Sequence, residues 1–377
     1  MNKPPIDDAL FRWILALSEK YRKMRVTTSV SSNDEVHQAA LFPSDGMLLH
    51  MDFLMKNVQD RTNLVQFLLM ANTESDREAC LAVIQNELIM ELKHVMAQLP
   101  GRQFAFELLS VPLESFCRSD VNPTTVAMSM NLSVADVKER LASLHDTNPA
   151  LGLRGCRSFA RFPRLLDVCV VAIQNAMRSQ ASTAPTDVPP LQITLPLMST
   201  SQEVGACVAS IRAIVPDATV GAVVATPRAC LRLTGMAEGL DFIIYDVLAL
   251  TELVWGCSRE DAEHFLDQYL HDHRFPISPF ESLDRHGVGK LISDSVQKLR
   301  GAESPAFFQR TAKHHCEISL AGLPGHFDPA GITFTHNAGI TNFISSPMCV
   351  PVAKLVSAQL AVQLDIDEPQ IPVFPIM

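Results

Sequence analysis

Five short runs of β-rich, mostly apolar residues recur along the chain, at 103–111, 192–198, 219–226, 241–245 and 341–345. Helical patterns fill the spaces between them. In the first run Phe104, Phe106 and Leu108 alternate. Strands buried on both faces read this way, as parallel strands are. Strand–helix alternation over such a length predicts an α/β fold with a parallel sheet, open or closed. A closed (β/α)8 TIM-type barrel places its chemistry at the C-terminal ends of its strands.

The helical signals are of several kinds. Leu81, Ile84, Leu88, Leu92, Val95 and Leu99 recur at helical spacing, and Pro100-Gly101 ends the run. Ser75 and Glu78 have the spacing of a capping box ahead of it. A second helix is expected from a cap at Ser258–Asp261 through His271, and a third over 290–299 after the turn Gly287-Val288-Gly289. The stretch 179–190 carries Ser, Thr and three Pro and reads as a surface loop within one domain.

A chain of 377 residues suits one elaborated α/β barrel. With 47% apolar and 19% charged residues, a large core is expected rather than disorder. The formal net charge of -10 argues against nucleic acid, which needs clustered Lys and Arg. No apolar run reaches membrane-spanning length, and the N-terminus has no signal-peptide pattern. Nine scattered cysteines without a Cys-x-x-Cys pair fit reduced thiols and a cytoplasmic setting.

Few residues invite chemistry by spacing alone. His314-His315-Cys316, with His271 and His273 upstream, offers metal-ligand types. Adjacent ligands on one element rarely converge, however, so a solvated turn entering a strand is the better reading. Gly287-Val288-Gly289 is too short for a dinucleotide fingerprint, and no nucleophile elbow or phosphate-loop lysine is present. The segment 148–157 puts Arg154 and Arg157 on a Gly-punctuated loop. Arginine forks suit carboxylate or phosphate. On its own the loop fits anion binding and a structural turn equally.

That decapeptide resembles the barrel signature of pyruvate phosphate dikinase and related phosphoenolpyruvate (PEP)-utilising enzymes. Further segments resemble the family in its own order: 221–231 with Pro227-Arg228-Ala229, 256–270, 287–291, and 346–359 with Val350-Pro351-Val352-Ala353-Lys354-Leu355. Upstream, 46–55 and 108–116 are fainter but collinear. The resemblance implies a PEP/pyruvate-type (β/α)8 barrel over 26–365, a helical lead-in over 1–25 and a tail over 366–377. The family's nucleotide-binding and phosphohistidine domains are not expected in this chain.

The resemblance also implies roles, and most of the matching positions have changed. Family arginines fall on Met51 and Glu107. An Asp falls on Ser110, the metal-binding Glu on Ala225, and an Asn-Asp pair on Leu248 and Ala249. The catalytic Cys falls on Ser345, and a Gly-rich loop has become 321–325. Arg154 and Arg157 remain as anion-binding candidates. Magnesium needs oxygen ligands that alanine cannot supply, and a serine hydroxyl is a poorer proton donor than a thiol. The expectation is therefore a pseudoenzyme without the family's magnesium, acting as a binding, regulatory or scaffold protein. The alternative is an altered phosphotransferase-family enzyme acting on a small carboxylic acid through Arg154, Arg157, Glu107 and Ser345. A phosphotransfer subunit working with separate upstream domains would need the metal site. The resemblance further implies a homodimer, or a dimer with an active relative, near the stripe Leu355, Ala358 and Val362.

Overall fold

The computed structural model describes residues 8–56, 59–117, 122–130, 132–181, 190–301, 317–323 and 328–367. Eight parallel strands close into a barrel: β1 (Arg25–Val30), β2 (Gly46–His50), β3 (Phe104–Glu107), β4 (Gln192–Leu195), β5 (Thr219–Val224), β6 (Phe242–Asp246), β7 (Ile318–Ala321) and β8 (Asn342–Ser345). Each strand pairs with the next in sequence, and β8 returns to β1 with Thr28 opposite Ser345. The five expected strands are β3, β4, β5, β6 and β8, most of them shorter than the apolar runs. The first run leaves the sheet after Glu107, because Ser110 and Val111 give their N–H groups to the Asp52 carboxylate. The sequence pattern does not mark β1.

Side chains alternate across each strand, which sorts them into two layers. Leu48, Phe242, Ile244 and Ile344 pack inside the barrel with Ala105 and Ala321. Their neighbours, such as Met47, Phe106, Ile193 and Tyr245, face outward against the helices in the main core. Each such buried side chain contributes roughly 1.5–3 kcal/mol.

Helices follow the sequence signals with three corrections. The helix Glu74–Ala97 buries Leu81, Ile84, Leu88, Leu92 and Val95, and Leu99 is buried just beyond it. Its cap is Thr73, not Ser75: Thr73 is extended, and its hydroxyl accepts the Asp76 N–H at 3.1 Å. The Thr73 hydroxyl also donates to the Asp76 carboxylate at 2.7 Å, so the cap lies two residues earlier than expected and without the box's return bond to the cap backbone N–H. The expected helix over 258–271 is two short ones, Arg259–Ala262 and Leu266–His271. Ser258 caps the first as expected. Phe265 then takes φ −139°, outside the helical range, and its ring packs edge-on against Tyr269. The expected loop at 179–190 begins late, since helix Pro163–Ala181 takes its first three residues. Helix Val288–Arg300 starts after Gly287, where Asp284 accepts the backbone N–H groups of His286 and Gly287. His314-His315-Cys316, Pro324-Gly325 and the segment from 368 onward lie outside the described residues.

The N-terminal ends of the strands are tied by a repeated device. Arg22 forks onto Asp45 with two bonds of 2.6 Å, and Asp45 accepts the Val26 N–H at 2.8 Å. Arg212 donates to Asp241 at 2.7 Å, and Asp241 accepts the Val220 N–H at 2.8 Å. Thr27, Asn342 and Ser319 form a buried chain across β1, β8 and β7, with bonds of 3.0 Å. Lys354, buried on the last helix (Val350–Asp367), bonds Glu19 of the N-terminal helix (Ala9–Tyr21) and the Pro43 carbonyl. No helix among the described residues is long and apolar enough to cross a membrane.

Candidate functional site

The opposite end of the barrel is open. Two cavities lie at the C-terminal ends of the strands, one of about 310 Å³ toward β1, β2 and β8 and one of about 540 Å³ toward the 148–157 loop. Glu107, Val223 and Asp246 line both, so the two form one cleft across the mouth.

The period-two alternation that fills the barrel also arms its mouth. Gly46 and Leu48 on β2, Ala105 on β3, and Phe242 and Ile244 on β6 face inward, and the next inward residue on each strand is polar. These are His50, Glu107 and Asp246. His50 Nε2 lies 2.8 Å from Ser29 Oγ, and its Nδ1 lies 3.4 Å from a Glu107 carboxylate oxygen. Burial works against the charged imidazole, but Glu107 outweighs it, helped by Asp52 and Glu35, and the pKa of His50 rises to about 9. The ring is therefore an imidazolium at neutral pH. Burial raises Asp246 to about 6; its bond from the Ala249 N–H at 3.1 Å opposes this, and the charge of Glu107 adds to it. Burial also raises Asp52, which accepts the N–H and O–H of Ser110 at 2.9 Å each.

The residues singled out from sequence are partly brought together here. Glu107, Ser110, Arg154, Arg157, Ala225 and Ala249 line the larger cavity; Glu107, Leu248 and Ser345 line the smaller. Met51 is fully buried in the main core at the start of a short helix, turned away from the mouth. Arg154 gives its Nε–H to the Ser110 carbonyl at 2.8 Å, and Arg157 bonds the Leu151 and Gly152 carbonyls at 2.5 and 3.0 Å. Both arginines thus brace the loop while fronting the cavity. Ser345 Oγ is buried and finds no hydrogen-bond partner.

The family's magnesium does not fit this donor set. Ala225, Leu248 and Ala249 carry no side-chain oxygen. Asp246 caps helix Val247–Trp255, and Glu107 faces His50. No three acids, histidines or cysteines among the described residues gather around a metal-sized space. Residue-by-residue comparison missed Ser29, His50, Asp52 and Asp246. For Ser29, His50 and Asp246 the readable signal was the last inward position of a strand; Asp52 lies on the helix that follows β2 and had none.

Comparison with known proteins agrees with the barrel order. The PEP-utilising enzyme, PEP-binding domain family matches residues 8–362. A pyruvate, phosphate dikinase of Rhizobium meliloti is 30% identical over 93% of this chain and 39% of its own length. Those of Clostridium symbiosum and Arabidopsis thaliana (chloroplastic) are each 27% identical, over 93% and 95% of this chain and 40% and 37% of their own lengths. The chain thus spans about two fifths of the length of these curated relatives. A solved HpcH/HpaI aldolase/citrate lyase family protein from Burkholderia cenocepacia covers 93% of this chain and 99% of its own at 9% identity and a TM-score of 0.36, too distant to bear on the site. Since the match runs from the N-terminal helix into the last one, around a barrel closed in sequence order, the chain belongs to the PEP-utilising enzyme family, in its PEP-binding domain.

Proposed function

We propose that this barrel has left PEP and pyruvate chemistry and works as a binding, regulatory or scaffold module in a reducing, cytoplasmic setting. The supporting observation is the charge of the mouth. Even with His50 charged and Arg154, Arg157 and Arg259 on the lining, acids outnumber bases there, so a ligand carrying phosphate and carboxylate would meet Glu107 and Asp246 at the centre of the cleft, beside apolar groups at 225, 248 and 249. Coulomb repulsion in a partly desolvated cleft disfavours that ligand. The test is turnover by purified chain supplied with magnesium, pyruvate and a phosphorylated donor domain. No turnover is expected; a rate of about 1 per second, ordinary for an enzyme, would overturn the proposal. An altered enzyme for a small carboxylic acid is the second reading, favoured by Arg154 and Arg157 on the larger cavity.

The association half of the proposal rests on an exposed ridge. On the last helix Ala358 is buried, Leu355 half-buried and Val362 exposed. Beside it the N-terminal helix exposes Leu10, Trp13, Leu17 and Tyr21 along one face, Trp13 at 60%. A second copy, or an active relative, covers this ridge. Sedimentation should give a dimer and Trp13→Glu a folded monomer; a monomeric wild type that captures no such relative would refute it.

A further inference from the structure

We infer that Ser29, His50 and Glu107 form a nucleophilic triad in the smaller mouth cavity, suited to hydrolysing a small ester or thioester. This goes beyond the binding proposal and does not rest on it. A triad is recognised by geometry and roles rather than by sequence position. Here the roles fall on the required atoms. Ser29 Oγ bonds the imidazole Nε2 at 2.8 Å, while Glu107 stands 3.4 Å from Nδ1, a spacing that tightens when substrate binds. The three residues come from β1, β2 and β3 and line one cavity of about 310 Å³. Leu48, Ile244, Phe343 and Ile344 give that cavity an apolar wall for a short acyl chain. Ser345 supplies the remaining part. Its hydroxyl is buried, lacks a partner and lines the same cavity, next to β1 through the pairing of Thr28 with Ser345.

The reaction balances without metal or redox partner. Ser29 Oγ bonds the acyl carbon as its proton passes to His50 Nε2, and the carbonyl electrons move to oxygen, where the Ser345 O–H donates. The bond to the alkoxide or thiolate then breaks, and His50 returns the proton to that leaving group. Water attacks the acyl-Ser29 as His50 takes its proton. The carboxylic acid departs, and Ser29 regains its hydrogen. The sum is ester plus water giving acid plus alcohol, or thiol for a thioester. Glu107 is a positioning residue that holds the ring and its charge.

The neutral ring is the base, so reactivity should follow its titration. Ser29, Glu107, Asp52 and Glu35 face the ring, with Asp246 and Arg259 on the same cavity or beside it. The test treats the intact chain with a fluorophosphonate probe from pH 7 to 10 and maps the label by peptide mass. Label is expected on Ser29, about tenfold faster per pH unit and levelling near pH 9. Ser29→Ala should abolish it, and His50→Gln should slow it at least about a hundredfold. Glu107→Gln should move the pH midpoint down by about a unit or more, a shift that a purely structural role would not produce. If Ser29→Ala does not fold, Ser29→Cys keeps a nucleophile, and that thiol should alkylate before the native cysteines. A folded wild type unlabelled at pH 9, label on another serine, or a flat pH profile would overturn the triad. None of these outcomes bears on phosphotransfer, which is measured separately.

Discussion

The two ends of the barrel use charge in opposite ways. At the N-terminal end two acids each have a basic partner and a backbone N–H: Asp45 with Arg22 and Val26, Asp241 with Arg212 and Val220. The carboxyl of Asp45 is pulled below its ordinary range, where burial alone would raise it. At the mouth, burial prevails for Asp246 and Asp52, and Ser345 and Thr194 keep buried hydroxyls without partners. The Asp45 and Asp241 clamps satisfy their charges, although Glu317 beside them keeps one buried oxygen unpaired, while the mouth leaves its polar groups poised. Barrel folds separate stability from chemistry in this way, and this chain keeps the separation.

The contrast can be broken most directly at the stable end. Arg22→Ala would leave Asp45 half-buried without its fork and should lower stability by about 3–5 kcal/mol. The urea midpoint reads this, and a loss under about 1 kcal/mol would mean that the clamp is ornamental. A smaller effect is expected in alkali. The folded pKa of His50 lies near 9, above the ordinary 6.5, so its contribution is complete below about pH 6.5 and disappears as pH rises through 9. The loss should be on the order of 2–3 kcal/mol between pH 7 and 10, and His50→Gln should flatten it. The smallest effect runs the other way. Asp246 titrates near 6 rather than 3.8, so the folded state holds a proton that the unfolded chain releases, and stability falls as pH rises across that window. Asp246→Asn should raise the pH 7 melting point by the equivalent of about 1 kcal/mol while still capping its helix. At pH 4 it should change nothing. Asp45 has the opposite sign: its contribution vanishes as pH falls through its depressed pKa.

Much of this was legible before the structure. Apolar runs marked five of eight strands, and the six periodic residues from Leu81 to Leu99 are all buried. β1 escaped because Thr27, Thr28 and Ser29 dilute its hydrophobicity; Thr27 and Ser29 meet polar partners on other strands, which no local window contains. The site was harder. Matching by position led to Met51, which is core, while the group that titrates is its neighbour His50, the last residue of β2, one step before the chain turns into a helix. Arg154 was read for its fork, but the loop uses its Nε to hold Ser110. Asp246 escaped the sequence reading altogether: in the structure it caps a helix, and only three-dimensional proximity to Glu107 gives it a second meaning.

The closing seam of the barrel has a further consequence, for how the chain assembles. Thr27 and Asn342 bond across 315 residues, and Lys354 reaches back 335 residues to Glu19. Strands β2 through β7 each pair with the strand made just before them, but β8 must also find β1, the first strand in the barrel. Closing a loop that long is entropically unfavourable, and pairing at such range is slow. On a ribosome, β1 waits with an open edge until nearly the whole barrel has emerged, and an open edge recruits foreign strands. The N-terminal helix, whose Glu19 receives Lys354 only when the last helix arrives, therefore marks the end of folding rather than its beginning.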